Sequence, residues 1–273
     1  MNTTAKRILT AVIMVPGVFA LLFFAKRNHF PWAVGIFLAL SSGIAVFEFS
    51  QLMAKAGLQL RPLSLALIAS LSFFALIWFD PQQTLLIGGS TLLAGTLINI
   101  RNLSLSKNLK NAAAAILALI YIPWLLHYFY VIYAAQDGIV HAINVLLIVW
   151  GYDTGAYFAG RWLGKHQIAP HISPNKTIEG LGGGLVVAFL GASLSPVWVP
   201  YMAWIPHILL IAFLVGLSTQ LGDLVESSFK RLAGVKDSGE LLPGHGGVLD
   251  RIDGLLLALP TFYFYFHYIL RFI

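Results

Sequence analysis

At 273 residues, 58% of them hydrophobic and 10% charged, with a mean hydropathy of +0.81, the chain is too apolar for a soluble domain, where about a quarter of residues carry charge. The absence of cysteine excludes disulfides and thiolate metal sites. The formal net charge of +6 does not make nucleic acid an expected partner, because Lys and Arg in a membrane protein mainly set its orientation.

Apolar runs long enough to cross a hydrocarbon core of about 30 Å recur along the chain, and a helix satisfies its own backbone as lipid demands. The first run, 8–25, mimics a signal peptide. It is long for an h-region and no small-x-small cleavage site follows, so an uncleaved first span is expected. Further runs lie at 32–53, 63–79, 85–100, 112–134, 142–159, 181–199, 208–225 and 254–273. The expected fold is all-α, a polytopic integral membrane protein of about nine transmembrane helices. Trp32, Trp78, Trp162, Trp198 and Trp204 fall near run ends, where amphipathic rings favour the interface. With the amino terminus in the cytoplasm, 14 of the 17 Lys and Arg residues lie inside and 3 (Lys26, Arg27 and Arg271) outside. That bias supports a cytoplasmic amino terminus.

The two halves differ. Residues 1–140 hold only Glu48, Asp80 and Asp137 as acids and read as a scaffold of transmembrane helices. Residues 141–273 hold the other eight of the eleven acids and read as a catalytic region with cytoplasmic-facing loops.

Asp153, Glu179, Asp223, Glu226, Asp250 and Asp253 all fall at span ends on the cytoplasmic side. Snorkelling to the interface would account for any one of them, but six at one leaflet point to function. Asp250 and Asp253 are spaced i, i+3 and so share a helix face, a spacing that Asp223 and Glu226 repeat. Carboxylates brought together need a cation, and oxygen-only ligands favour a hard ion such as Mg²⁺. The bland reading of Asp250 and Asp253 is compensation of the helix dipole and pairing with Arg251; it does not extend to Asp223, read here as near a helix C-terminus. Lys230, Arg231, Lys236 and Arg251, with Arg161, Lys165 and Lys176, supply the basic complement. A positive-inside loop carries such residues anyway, yet KDSGELLPGHGG interleaves them with acids and with glycines that admit phosphate to backbone N–H groups. GRWLGK (160–165) lacks the spacing and the Ser/Thr of a Walker loop. GLGGG (180–184) more often means close helix packing than ligand binding. For His245 a phosphate contact and a plain loop position stay equally open.

The segment SSFKRLAGVKDSGELLPGHGGVLDRID (227–253) resembles the signature of phosphatidate cytidylyltransferases (CDP-diglyceride synthases) at Ser227, Lys230, Arg231, Lys236, Asp237, Gly239, Pro243, His245, Gly246, Gly247, Asp250, Arg251 and Asp253. DTGAYFAGRWLGK and ISPNKTIEG upstream are similar to the same family, whereas over the first half the resemblance rests on hydropathy. It implies transfer of CMP from CTP to phosphatidate, giving CDP-diacylglycerol and pyrophosphate, in phospholipid biosynthesis. It implies Mg²⁺ held by Asp223, Asp250 and Asp253, with room for a second cation. Lys230, Arg231, Lys236 and Arg251 would hold phosphates beside Asp237. His245, Gly246 and Gly247 would shape the triphosphate loop. Ser173, Asn175, Lys176, Thr177 and Ser227 would contact substrate. It further implies a multi-pass protein of the inner (cytoplasmic) membrane, an active site facing the cytoplasm, and a homodimer. A CTP-dependent lipid kinase and a cation-coupled transporter are the rival readings; the second predicts midplane charges and inverted repeats.

Overall fold

A computed structural model describes residues 3–78, 81–100, 103–194, 204–239, 241 and 246–270, with the backbone alone for 3–11 and 81–87. His245 and Pro243 lie outside the described residues. The helices are α1 (Thr3–Arg27), α2 (Trp32–Lys55), α3 (Pro62–Trp78), α4 (Pro81–Asn99), α5 (Leu105–Leu119), α6 (Leu125–Ala134), α7 (Gly138–Leu163), α8 (Ile178–Ala192), α9 (Ile205–Leu232) and α10 (Leu249–Phe264). A π-helical stretch, Ile120–Trp124, joins α5 to α6, and a second, Tyr265–Leu270, continues α10. Pro123 sits in the first of these, where its missing N–H would break an α-helical ladder and a π-bulge absorbs the gap.

The described part of each expected apolar run is helical, apart from Ile100 at the end of 85–100 and the turn at Ser193 and Leu194 within 181–199. Among the described residues four helices are long and apolar enough to cross a membrane: Trp32–Lys55, Leu105–Ala134, Gly138–Leu163 and Ile205–Leu232. Pro62–Trp78 and Ile178–Ala192 are apolar but shorter. One small sheet interrupts the helices. Strands β1 (Gln167–Ala169) and β2 (Ser173–Thr177) form an antiparallel hairpin with Gln167 opposite Thr177 and Ala169 opposite Ser173. The polar composition of 164–177 did not announce this hairpin, since it lacks the apolar alternation of a half-buried strand.

The chain divides into two compact units, Met1–Tyr130 with Phe229–Ile252, and Val131–Ser228 with Asp253–Ile273. In the first, α2 is the central element: Val46, Phe49 and Leu52 are fully buried, and Phe49 meets the Phe229 ring edge-on at 5.1 Å. Two buried asparagines fix the turn after α2. Asn111 Oδ1 accepts from the Gln59 N–H at 3.0 Å and Asn99 Oδ1 from the Arg61 N–H at 2.9 Å, which satisfies backbone groups that lipid could not.

In the second unit α7 and α8 pack backbone to backbone. A Cβ on Gly155 would stand 2.5 Å from the Gly183 carbonyl, and one on Gly180 3.0 Å from that of Ala156. The GLGGG stretch is therefore a packing face, as its spacing suggested. Gly184 and Gly216 leave room for the ring of Tyr152, whose hydroxyl donates to Gln220 Oε1 at 2.8 Å and ties α7 to α9. Ser218 and Thr261 bond at 2.8 Å between α9 and α10.

Candidate active site

Three carboxylates converge where α9 and α10 come closest. A side chain on Gly222 would strike the Asp253 carbonyl, and one on Gly254 would stand 2.8 Å from Thr219 Cγ2. These two glycines let the helices approach at the positions that bear acids. Asp223, Glu226 and Asp253 each place a carboxylate oxygen within 4.8 Å of the others. Glu226 is fully buried and the other two are half-buried. Like charges this close repel unless a cation intervenes. Lys176 supplies one, its Nζ 2.6 Å from Asp223 Oδ2, while Ser227 Oγ donates to Asp223 Oδ1 at 3.3 Å. An all-oxygen donor set with buried carboxylates suits a hard divalent ion, so these residues fit Mg²⁺.

Of the expected metal ligands Asp223, Asp250 and Asp253, two lie in this cluster. Asp223 and Asp253 come together with Glu226, whereas Asp250 makes other contacts. Its Oδ1 accepts from Lys230 Nζ at 2.8 Å, and its Oδ2 from the Ser238 N–H at 2.9 Å, the Ser238 hydroxyl at 2.9 Å and the Gly247 N–H at 2.8 Å. Burial alone would raise the Asp250 carboxyl; the Lys230 bond, then the Gly247 and Ser238 amides, outweigh it and hold the carboxyl below its ordinary value. Residues three apart on a helix are offset by about 60°. That is enough for Asp250 to turn into the preceding loop while Asp253 turns to α9. Asp223 also departs from expectation, because α9 runs on to Leu232 and leaves it in the helix interior.

The loop ahead of α10 meets a second buried carboxylate, from α2. Glu48, 4% exposed in the middle of α2, accepts from the Val248 N–H at 3.0 Å, the Leu249 N–H at 2.8 Å and Ser238 Oγ at 3.2 Å. Val248 and Leu249 open α10, so Glu48 satisfies orphan donors of a helix 200 residues away in sequence. Gly239 and Gly247 face it without side chains; a Cβ on Gly239 would stand 2.6 Å from Glu48 Oε1. Gly246 has φ +77°, which favours glycine for its backbone alone. The sequence did carry a signal for Glu48: a lone acid within an apolar span is expensive and therefore purposeful.

Of the expected phosphate holders, Lys230 is in the ion pair with Asp250, with 12% of its side chain exposed. Arg231, Lys236, Asp237 and Arg251 are exposed, and Arg231 Nη1 donates to the Val235 carbonyl at 3.4 Å. The hairpin splits its four residues. Asn175 and Thr177 line a polar cavity of about 570 Å³ with Tyr157, Arg161, Lys165 and Gln167. Lys176, between them on β2, points the other way to Asp223, as strand alternation requires. Ser173 pairs with Ala169 and is half-buried. Thr177 also caps α8, its Oγ1 accepting from the Gly180 N–H at 3.0 Å.

Glu179 holds the turn that bears Lys165. It accepts from the N–H groups of Lys165 at 3.0 Å and His166 at 3.2 Å, and contacts His166 Nδ1 at 2.6 Å. The Lys165 amide, then the His166 ring, pull its carboxyl down to about 2. GRWLGK thus forms the last turn of α7 and the bend after it, the opposite end of a helix from a Walker loop.

The sequence profile of the cytidylyltransferase family matches residues 5–269. Proteins named phosphatidate cytidylyltransferase are similar over the better part of the chain. The one from Bacillus subtilis (strain 168) is 45% identical over 153 residues, 54% of this chain and 55% of that protein. Those from Staphylococcus haemolyticus and Staphylococcus saprophyticus are 43% and 40% identical over 173 residues, 62% of this chain and 66% of each relative. The matched part thus spans between about half and two thirds of these relatives.

Proposed function

Because this chain belongs to the cytidylyltransferase family, we propose that it transfers CMP from CTP to phosphatidate, as the names of its relatives say of them. The observation that carries this reading is the Asp223–Glu226–Asp253 cluster with Lys176 against it, in a chain of apolar helices that suits a lipid substrate. In the reaction a phosphatidate phosphate oxygen bonds to the α-phosphorus of CTP while the bond to pyrophosphate breaks. Two polyanions must meet, so positioning and charge neutralisation dominate the catalysis.

Asp223, Glu226 and Asp253 would hold Mg²⁺, which when bound supplies charge neutralisation for phosphoryl oxygens; a second cation accords with three acids in one cluster. Lys176 orients the Asp223 carboxylate through their 2.6 Å contact. Arg231, Lys236 and Arg251 offer exposed cations to phosphate beside Asp237, and His245, Gly246 and Gly247 of the signature would serve the same phosphate. Lys230, Asp250, Ser238 and Glu48 hold that loop, and Ser227 steadies Asp223. Ser173, Asn175 and Thr177 belong to the substrate side. In this reading residues 141–273 carry the reacting groups and 1–140 the scaffold. About nine spans place the amino terminus and the active site at the cytoplasmic face of the inner membrane, and the protein acts as a homodimer.

The test is incubation of purified protein in detergent with labelled CTP, phosphatidate and Mg²⁺. A CMP-bearing lipid and pyrophosphate are expected. CDP with a newly phosphorylated lipid would instead mean a lipid kinase, and no lipid product at all would return the transporter reading.

A further inference from the structure

Asn175 and Thr177, on the substrate side of the proposed reaction, line a cavity between the end of α7 and the β1–β2 hairpin. Its polar wall is made by Arg161, Lys165, Gln167, Asn175, Thr177 and the Tyr157 hydroxyl, with no acid among the lining residues described. The fold fixes the Arg161 side chain and the Lys165 backbone. Arg161 Nη1 donates to Tyr157 Oη at 2.9 Å, and the Lys165 backbone is anchored by Glu179 at 3.0 Å. At about 570 Å³ it is within the usual size of a small-ligand site. Two cations and neutral donors without a carboxylate select an anion, and Arg with Lys selects phosphate.

The neighbouring ridge narrows the choice of phosphate compound. Tyr157 and Arg161 share one face of α7; Phe158 and Trp162, each one residue on, form the adjacent face. The Phe158 and Trp162 rings lie 5.2 Å apart. They are 44% and 75% exposed, and Leu163 beside them is 64% exposed. Exposed aromatic residues at the end of a long apolar helix mark the depth of lipid headgroups. A cavity at that depth, cationic inside and rimmed by an apolar ridge, fits an amphiphile whose phosphate enters while its chains lie along the ridge. CTP, polar throughout, would leave the ridge uncovered.

We propose that this cavity binds the phosphate monoester headgroup of the lipid substrate, with Arg161 and Lys165 as its ligands and Phe158 and Trp162 as the seat of the chains. The assignment rests on the proposed reaction and names which substrate this end of the protein takes. It also makes the hairpin a divided element: Asn175 and Thr177 face the lipid phosphate, while Lys176 faces the acid cluster.

Two measurements test it. In the first, initial rates are taken for wild type, for Arg161→Gln with Lys165→Gln, and for the charge-retaining Arg161→Lys with Lys165→Arg. The KM for phosphatidate should rise at least about tenfold in the neutral variant, as expected for lost charge-assisted bonds. The KM for CTP should stay within about twofold, and the charge-retaining variant should recover most of the loss. A rise confined to CTP would hand the cavity to the nucleotide, and a fall in kcat with both KM values unchanged would also overturn the proposal. The second measurement needs no turnover, so it stands even if the proposed reaction fails. Short-chain phosphatidate with brominated chains, added to protein in detergent without CTP, should quench the tryptophan fluorescence that is lost in Trp162→Phe. The neutral variant should need at least about ten times more lipid. Inorganic phosphate and CTP should compete poorly. Competition by either as strong as by unbrominated phosphatidate, or quenching equal in the neutral variant, would refute a lipid site.

Discussion

Two groups of carboxylates in this protein differ in what surrounds them. In the second unit Asp223, Glu226 and Asp253 face one another, with the Lys176 ammonium at one edge. In the first unit Glu48 and Asp250 face backbone amides: Val248 and Leu249 for one, Ser238 and Gly247 for the other, with the Ser238 hydroxyl between them and Lys230 alongside. A carboxylate spent on amide donors organises chain. Carboxylates turned on each other form a donor set that fits a cation. Residue type does not separate these roles; the donors that reach each oxygen do.

The strongest way to break this contrast is to neutralise one acid from each group. Asp253→Asn should lower turnover by about 10²–10³-fold, the scale for loss of one preorganised electrostatic contact to a transition state. It should also weaken binding of Mn²⁺, used as a probe for Mg²⁺, while thermal unfolding stays near that of wild type. Asp250→Asn should behave in the opposite sense. Breaking a buried ion pair costs about 3–5 kcal/mol, and here the Lys230 ammonium, 2.8 Å from Asp250 Oδ1, would lose its counter-charge. A large fall in unfolding temperature with Mn²⁺ affinity retained is expected. If Asp250→Asn instead abolished Mn²⁺ binding without loss of stability, Asp250 would rejoin the metal ligands.

Glu48→Gln should have a smaller effect. It removes charge from three hydrogen bonds, and bonds to charged groups contribute about 1.5–3 kcal/mol each. An amide keeps one acceptor, so a loss of about 2 kcal/mol is expected, read by chemical denaturation in detergent. Glu48→Asp should not restore it, since the shorter side chain cannot reach both amides. Full stability in Glu48→Gln would mean that the carboxylate charge plays no part in holding α10.

The smallest predicted effect belongs to Glu179, whose folded carboxyl lies at about 2 against an ordinary 4.5. A group depressed on folding stabilises fully above its unfolded value and loses that contribution as pH falls through the folded one. The hairpin at 167–177 should therefore resist proteolysis at pH 6 and become more susceptible as pH falls from about 4.5 toward 2. In Glu179→Gln the same segment should be susceptible at both ends of that range. An unchanged cleavage pattern across pH in wild type would show that Glu179 does not anchor the hairpin.

Much of the architecture was legible before any coordinates. Apolar runs marked the helices because lipid-exposed backbone has few alternatives. GLGGG read as packing because glycines spaced along a helix admit a close neighbour, and α7 supplies that neighbour. The Asp223–Glu226 spacing was correctly read as one face. For Asp250 and Asp253 an i, i+3 rule says what two side chains can share, while the loop before α10 supplies the donors that Asp250 meets. Glu48 was legible only as an oddity, because its partners lie 190 to 201 residues away.

By itself, then, the sequence determined that the chain is a set of apolar helices with its acids gathered late, and which phosphate-handling signature it carries. Composition and local periodicity suffice for that, since lipid compels backbone to bond within its own helix. Only the tertiary structure decided which acids meet one another and which meet amides. That choice turns on glycines that let two helices touch, at Gly222 and Gly254, and on donors that reach a buried carboxylate only when distant segments have packed.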